Sequence, residues 1–254
     1  RLFQSLGEFN RVFSMSISTY VHLEKFLSLE KNKESVFSQN FKIESLSDEY
    51  LINLKNVDFK YLNSDKYVFK NLSLKIKKGE HTIITGPNGV GKSTFLGLIS
   101  GVFYAERGLV NLGTKNISYV SAYPMIIRGT LRENAIYGVN KEILDSEIIS
   151  KINFFNIFEN KDYDLDQKVS NKTLSSGQMQ KLSFVRALLS NPDLLLLDES
   201  TSNLDVNSKS LINRILSGLE ITIINSTHSS EDLENYDNEL KFFSTENETQ
   251  INEI

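Results

Sequence analysis

The sequence predicts an α/β chain with a mainly parallel sheet at its centre. Three observations carry that expectation. A glycine-rich turn, Gly86-Pro87-Asn88-Gly89-Val90-Gly91, lies between a short apolar run, His81 to Thr85, and a helical pattern. The run Leu194-Leu195-Leu196-Leu197 has no polar alternation, as expected of a parallel strand buried on both faces. Strand-like and helix-like segments alternate around these two, which is the order of a parallel α/β core.

In chain order, Leu2, Leu6, Phe9, Phe13, Tyr20, Leu23 and Leu27 recur by threes and fours, with one position skipped near Ser16. That spacing predicts an N-terminal amphipathic helix or a short coiled-coil-like seam. Lys31 to Glu49 is polar, with charges and serines, and reads as a linker. The expected division is therefore residues 1–47 as helix and linker, and 48–254 as the main domain. Val57, Phe59 and Tyr61 alternate, as do Leu72, Leu74 and Ile76, which predicts half-buried strands in an antiparallel β subdomain. Asn63-Ser64-Asp65 between them is turn chemistry. His81 to Thr85 is a short buried strand, Phe95 to Ser100 a helix stopped by Gly101, and Ile117 to Val120 a further strand. Residues 123–173 read as mostly helical, with Ile148, Ile149, Ile152, Phe155 and Ile157 clustered; this predicts a helical subdomain over about 123–180. Met179, Leu182, Val185, Leu188 and Leu189 share one face of a helix that Asn191-Pro192 ends. Leu211, Ile212, Ile215, Leu216 and Leu219 give another helix, and Ile221 to Ile224 a strand. From Glu231 the tail is rich in carboxylates with a single Lys and reads as a solvated face.

Composition narrows the function. The net charge of −4 gives no bulk electrostatic reason for nucleic-acid binding. Without cysteine, neither a disulfide nor a cysteine metal site can form. No run of 18 apolar residues is present, so no transmembrane helix is predicted within these residues. The chain opens on Arg1, which suggests a piece of a longer polypeptide with membrane spans upstream.

The glycine-rich turn continues as Lys92-Ser93-Thr94, so Gly86 to Thr94 fits G-x-x-x-x-G-K-[ST], the phosphate-cradling P-loop. Glycines let the backbone close around phosphate oxygens with its N–H groups inward, and the helix N-terminus adds partial positive charge. Lys92 can reach β- and γ-phosphates, and the Ser93 hydroxyl can ligate Mg²⁺. Asp198 ends the apolar run, where a carboxylate can hold Mg²⁺ or its waters. Leu174-Ser175-Ser176-Gly177-Gln178 opens a helix, and the Ser175 hydroxyl with the following N–H groups can bind an anion.

These segments occur in a telling order: the P-loop, Leu174 to Gln178, Leu194 to Glu199, Ser202-Asn203-Leu204-Asp205, and His228 after an apolar run. The order resembles the nucleotide-binding domain of ATP-binding cassette (ABC) proteins, over roughly residues 50–245. The family carries a Walker A motif, an L-S-G-G-Q signature, a Walker B motif with its glutamate, a D-loop and an H-loop histidine. The resemblance implies a P-loop NTPase fold with ATP and Mg²⁺ as cofactors. It implies that Glu199 orients or deprotonates the attacking water and that His228 contacts the γ-phosphate. It implies that Tyr61 stacks on adenine, which suits a flat π face; a core tyrosine is the plainer alternative, as Phe59 could be. Leu174, Ser175, Ser176, Gly177 and Gln178 would close on ATP held by an opposite subunit. Asp205 would lie at the same interface, act as a helix N-cap, or do both.

Gly129-Thr130-Leu131-Arg132-Glu133-Asn134-Ala135-Ile136 resembles a segment of exporter-type ABC domains. With the N-terminal helix, which then reads as the cytosolic end of a last membrane helix or as a helix packed on its own domain, this implies a half-transporter. Its partners would be a transmembrane domain, in the same polypeptide, and a second nucleotide-binding domain in a homo- or heterodimer. Its place would be the cytoplasmic face of a membrane. The other readings are a soluble non-transport ABC ATPase and a nucleotide-sensing module with weak hydrolysis. Three departures stand out. Val169-Ser170-Asn171-Lys172 lacks the Glu that exporters often carry shortly before the signature motif. Ala122 occupies the expected Q-loop glutamine position, and Ser176 replaces the first signature glycine.

Overall fold

The computed structural model describes residues 40–44, 46, 49–62, 64–158, 162–227, 236–245 and 248–253. The N-terminal amphipathic helix and His228 lie outside these residues. The central sheet comprises β4 (His81–Thr85), β6 (Ile117–Ser121), β9 (Leu194–Asp198), β10 (Thr222–Ser226), β11 (Asn238–Ser244) and β12 (Thr249–Glu253). Its order is β12-β11-β4-β10-β9-β6, parallel throughout except where β12 pairs antiparallel with β11. A second sheet, in the order β1-β5-β2-β3, contains β1 (Phe41–Ile43), β2 (Tyr50–Phe59), β3 (Phe69–Lys77) and β5 (Arg107–Leu112). Its β2–β3 and β2–β5 pairs are antiparallel. The α/β class and the antiparallel portion are thus as the sequence predicts.

The unbroken Leu194–Leu197 run follows from apolar layers on both faces of β9. Leu194 and Leu196 join one core with Ile84, Ile224, Leu240 and Phe242, packed against α1 (Lys92–Ile99) and the antiparallel sheet. Leu195 and Leu197 point the other way, into a core with Leu182, Val185 and Leu188 of α4 (Ser176–Leu189) and Ile212 and Ile215 of α5 (Val206–Ser217). All four leucines are completely buried. Polar alternation would strand a side chain in one of these layers.

Helix starts follow local capping chemistry. Ser175 caps α4 in a reciprocal box with Gln178, and Thr130 caps α2 (Leu131–Ile136) in the same way with Glu133. Asp205 caps α5 by accepting from the Ser208 N–H. At the far end of α4, Asn191 takes a left-handed backbone (φ 50°) just before Pro192, and the helix stops.

Three readings of the sequence need correction. Phe41–Ile43, read as linker, is a strand in parallel register with Val110–Leu112 of β5. Residues 123–173 are less helical than their apolar content predicts: α2, α3 (Asp145–Phe154) and the short pair β7 (Gly129–Thr130) and β8 (Lys168–Val169) are joined by irregular chain. Side chains take over the backbone's hydrogen bonds there. Asn134, fully buried, accepts from the Ile127 N–H and donates to the Ile127 and Thr130 carbonyls, while Arg186 of α4 donates to the Asn134 and Met125 carbonyls. Phe155 and Ile157 are buried without being helical. Finally, the acidic tail is not simply a solvated face. Leu240 and Phe242, flanking exposed Lys241, enter the core as β11 pairs with β4. Alternation over so short a stretch is masked by the surrounding carboxylates.

Phe242 meets Phe95 and Phe69 edge-to-face, with centroids 5.6 and 6.2 Å away. Phe242→Ala should therefore cost ~3–5 kcal/mol in denaturant unfolding, while Lys241→Ala on the exposed side of the strand should shift the midpoint little. Equal effects from the two would contradict this register.

Candidate functional site

The carboxyl end of the parallel sheet gathers most of the residues singled out from the sequence. β4 runs into the P-loop at Gly86, whose φ of +142° and tight surroundings both require glycine: a Cβ there would collide with the Phe242 carbonyl oxygen. Gly91 (φ +109°) forms the N-cap of α1, and a Cβ on it would come 2.9 Å from Val68 Cγ1. No side chain caps α1 and no acidic residue lies in its first turn, so its leading amides remain available to an anion.

Lys92 is only 4% exposed. Its ammonium donates to the Gly86 and Pro87 carbonyls at 2.8 and 3.2 Å, and lies 3.9 Å from Glu199 Oε1. A charge so enclosed needs such partners. Glu199 has a left-handed backbone (φ 51°), uncommon for a non-glycine residue, and its N–H donates to the Ser226 carbonyl at 3.0 Å. Such strain costs on the order of 1–3 kcal/mol and tends to accumulate at functional sites.

Asp198 closes β9 with both carboxylate oxygens engaged. Ser93 Oγ donates to Oδ1 at 3.1 Å, and the Tyr119 hydroxyl donates to Oδ2 at 2.7 Å. Burial first, then the hydrogen bond to Asp198 and its negative charge, push the Tyr119 phenol well above its usual range, so it stays protonated and acts as donor. Ser93 Oγ and Asp198 Oδ1 form a hard-oxygen pair of the kind that suits Mg²⁺, which needs few protein ligands when phosphate and water complete its shell. These residues therefore fit that ion.

Tyr61 lies just beyond β2, 45% exposed. Its hydroxyl is 2.6 Å from Thr94 Oγ1, and its ring meets Phe59 and Phe103 edge-on at 5.2 and 5.6 Å. Phe59, the other aromatic weighed at this place, is buried in the core and cannot offer a face to a ligand.

The signature segment lies apart from this cluster. Ser175, Gly177, Gln178 and Asp205 line one cleft of about 750 Å³, to which no P-loop residue contributes. Within it, Ser175 Oγ accepts from the Gln178 N–H, and Gln178 reaches on to the Ile157 carbonyl. Leu174 anchors the segment in the helical core, and Ser176 is exposed. Asp205 Oδ1 accepts from the Ser208 N–H at 2.9 Å, which holds its carboxyl below the usual range. The N-cap expectation for Asp205 is met. Toward His228, the Thr227 N–H donates to the Ile84 carbonyl, so the end of β10 lies against the strand that enters the P-loop.

Ala122 follows β6 directly, one residue beyond Ser121, which pairs in register with Asp198. Its carbonyl accepts from Asn203 Nδ2 at 3.2 Å, and Gln180 Nε2 donates to the Ser121 carbonyl at 2.9 Å. Sequence reasoning missed Tyr119. Its position on a strand was legible; its pairing with Asp198 needed the register between β6 and β9.

The ABC transporter family profile matches residues 69–202, more than half of the chain. ABC transporter B family member 22 of Arabidopsis thaliana is 34% identical over 242 residues, which is 87% of this chain and 19% of that protein. The ATP-dependent permease MDL1 of Candida albicans is 32% identical over 224 residues, 79% of this chain and 32% of that protein. The chain thus spans from about a fifth to a third of the length of these two relatives. A solved bacterial Atm1-family ABC exporter with ATP bound shares the fold, with a TM-score of 0.70 and 22% identity over 80% of this chain and 40% of that one. The matched stretch runs from β3 through the P-loop and the signature segment to Asp198 and Glu199, and on that ground the chain belongs to the ABC transporter family, as one of its nucleotide-binding domains.

Proposed function

We propose that this chain binds and hydrolyses ATP, with Mg²⁺, to power an exporter whose membrane-spanning part lies outside the described residues. The observation that carries the reading is the buried Lys92 ammonium, held over the glycine loop beside Glu199 while Ser93 faces Asp198. No helix among the described residues is long and apolar enough to cross a membrane. The exporter assignment rests on the Gly129–Ile136 segment and on relatives such as a permease described as ATP-dependent.

The chemistry follows from the side chains. The P-loop amides and α1 N-terminus bind the phosphates, and Lys92 exchanges its loop carbonyls for β- and γ-phosphate oxygens. Ser93 and Asp198 would hold the ion, which when bound would offset the negative charge of the phosphate. Glu199, freed from Lys92 as that ammonium turns to phosphate, orients the attacking water or accepts its proton. The Tyr61 ring stacks on the base, and His228 completes the γ-phosphate contacts. The separation of the signature cleft from the P-loop within one chain favours a two-chain arrangement. Ser175, Gly177 and Gln178 would meet the ATP of a second nucleotide-binding domain, with Asp205 at the same junction. Closure of two domains on two nucleotides then drives the membrane halves, and hydrolysis resets them.

Glu199→Gln should retain ATP binding and lose most turnover, because an amide keeps the shape but accepts no proton. It should sediment as a dimer with ATP and as a monomer without it; wild-type turnover in this variant would remove Glu199 from its role. Lys92→Ala should weaken ATP binding and hydrolysis together, and an unchanged affinity in nucleotide titration would contradict the P-loop assignment. Ala122→Gln tests the Q-loop departure. One added polar contact at the reacting centre is worth about 1–3 kcal/mol, so hydrolysis should rise by roughly one to two decades with little change in affinity. A variant no faster than wild type would mean either that residue 122 does not occupy that position or that other groups have rebuilt the metal shell.

A further inference from the structure

We propose that Tyr119 is a positioning residue for the Asp198 carboxylate: it holds one oxygen so that the other is presented to Ser93, on the side where the metal is taken. The inference rests on the ATP-site reading above and adds to it a group from the edge strand.

A carboxylate at the end of a strand can rotate about its last bond, and the two oxygens are then interchangeable. Here two separate elements fix it. Ser93, from the first turn of α1, takes Oδ1, and Tyr119, from β6, takes Oδ2. Register explains how Tyr119 reaches. Ser121 pairs with Asp198, so Tyr119 stands two residues earlier on the neighbouring strand, on the same face as Ser121. Ile117, on that face too, packs into the core beneath α1, whereas Ser118 and Val120 are buried on the opposite side. The Tyr119 side chain thus runs along the strand toward the carboxylate. Tyr119 is half-buried, so burial favours the bond without by itself demanding it. A neutral hydroxyl donor also leaves the full negative charge on the carboxylate, which a cationic partner would offset.

The neighbouring position sharpens the argument. Ala122 offers no polar side chain, and its carbonyl is taken by Asn203. Among the described residues, the Tyr119 hydroxyl is the polar side-chain group that β6 delivers to Asp198. Partners that orient metal-binding carboxylates commonly govern metal affinity about tenfold or more when removed.

The test uses the full 254-residue chain and Tyr119→Phe, which removes the hydroxyl and keeps the ring. Affinity for a non-hydrolysable ATP analogue is measured in EDTA, and Mn²⁺ affinity of the analogue-bound protein is measured by electron paramagnetic resonance. The proposal expects unchanged analogue affinity in EDTA and Mn²⁺ affinity weakened by about tenfold. Unchanged Mn²⁺ affinity would overturn it. So would a loss of analogue affinity in EDTA that matches the loss of Mn²⁺ affinity, since that pattern marks general packing. If the wild-type chain binds neither analogue nor Mn²⁺, the ATP-site reading itself fails, and Tyr119 falls with it. A wild type that binds both, beside an indifferent Tyr119→Phe, overturns the Tyr119 role alone.

Discussion

A buried ammonium organises the carboxyl end of the parallel sheet. Lys92 is almost wholly enclosed, and in that setting an unpaired charge would be far too costly to keep. It is kept because the Gly86 and Pro87 carbonyls turn inward to accept from it and Glu199 stands within 4 Å. Those partners come from distant parts of the chain. The carbonyls are at the exit of β4, and Glu199 is at the exit of β9, with β10 lying between the two strands. The end of β10 joins them: its Ser226 carbonyl accepts from Glu199, and the next residue, Thr227, donates to Ile84. The geometry around Lys92 is therefore a property of three strand ends held in register.

That register is itself secured by packing on both faces of the sheet. The two apolar layers around β9 take Leu194 and Leu196 on one face and Leu195 and Leu197 on the other, so that in the observed register all four side chains are buried. The C-terminal hairpin adds a direct constraint on the loop. Phe242 of β11 lies so close to Gly86 that only glycine fits, and Thr249 of β12 donates to the Val90 carbonyl at 2.6 Å. The phosphate loop is thus braced by the end of the chain as well as by the strand that precedes it.

The two halves of the functional surface are built differently. The P-loop side depends on long-range backbone contacts between strand ends, whereas the signature cleft rests on local capping: Ser175 with Gln178, and Asp205 with Ser208. Locally capped helix starts present their groups reproducibly without needing a partner chain to form first. Such an edge suits docking against a second domain, as the proposed dimer requires.

The sequence by itself determined the α/β class, the P-loop, the buried strand ending at Asp198 and the starts of α4 and α5. Each of these is written in local chemistry: glycines at left-handed positions, a polar residue before a helix, an unbroken apolar run. It misjudged Phe41–Ile43 and the acidic tail, because short strands whose side chains are half polar are recognised only through their pairing partners. It overestimated helix in residues 123–173, because burial there is achieved by Asn134 and Arg186 satisfying irregular backbone, which leaves no periodic trace. Only the tertiary structure decided that Phe59 is core while Tyr61 is exposed, that Lys92 faces Glu199, and that Tyr119 holds Asp198. These are contacts between residues far apart in the chain, and their distances depend on strand order and register, which no local pattern encodes.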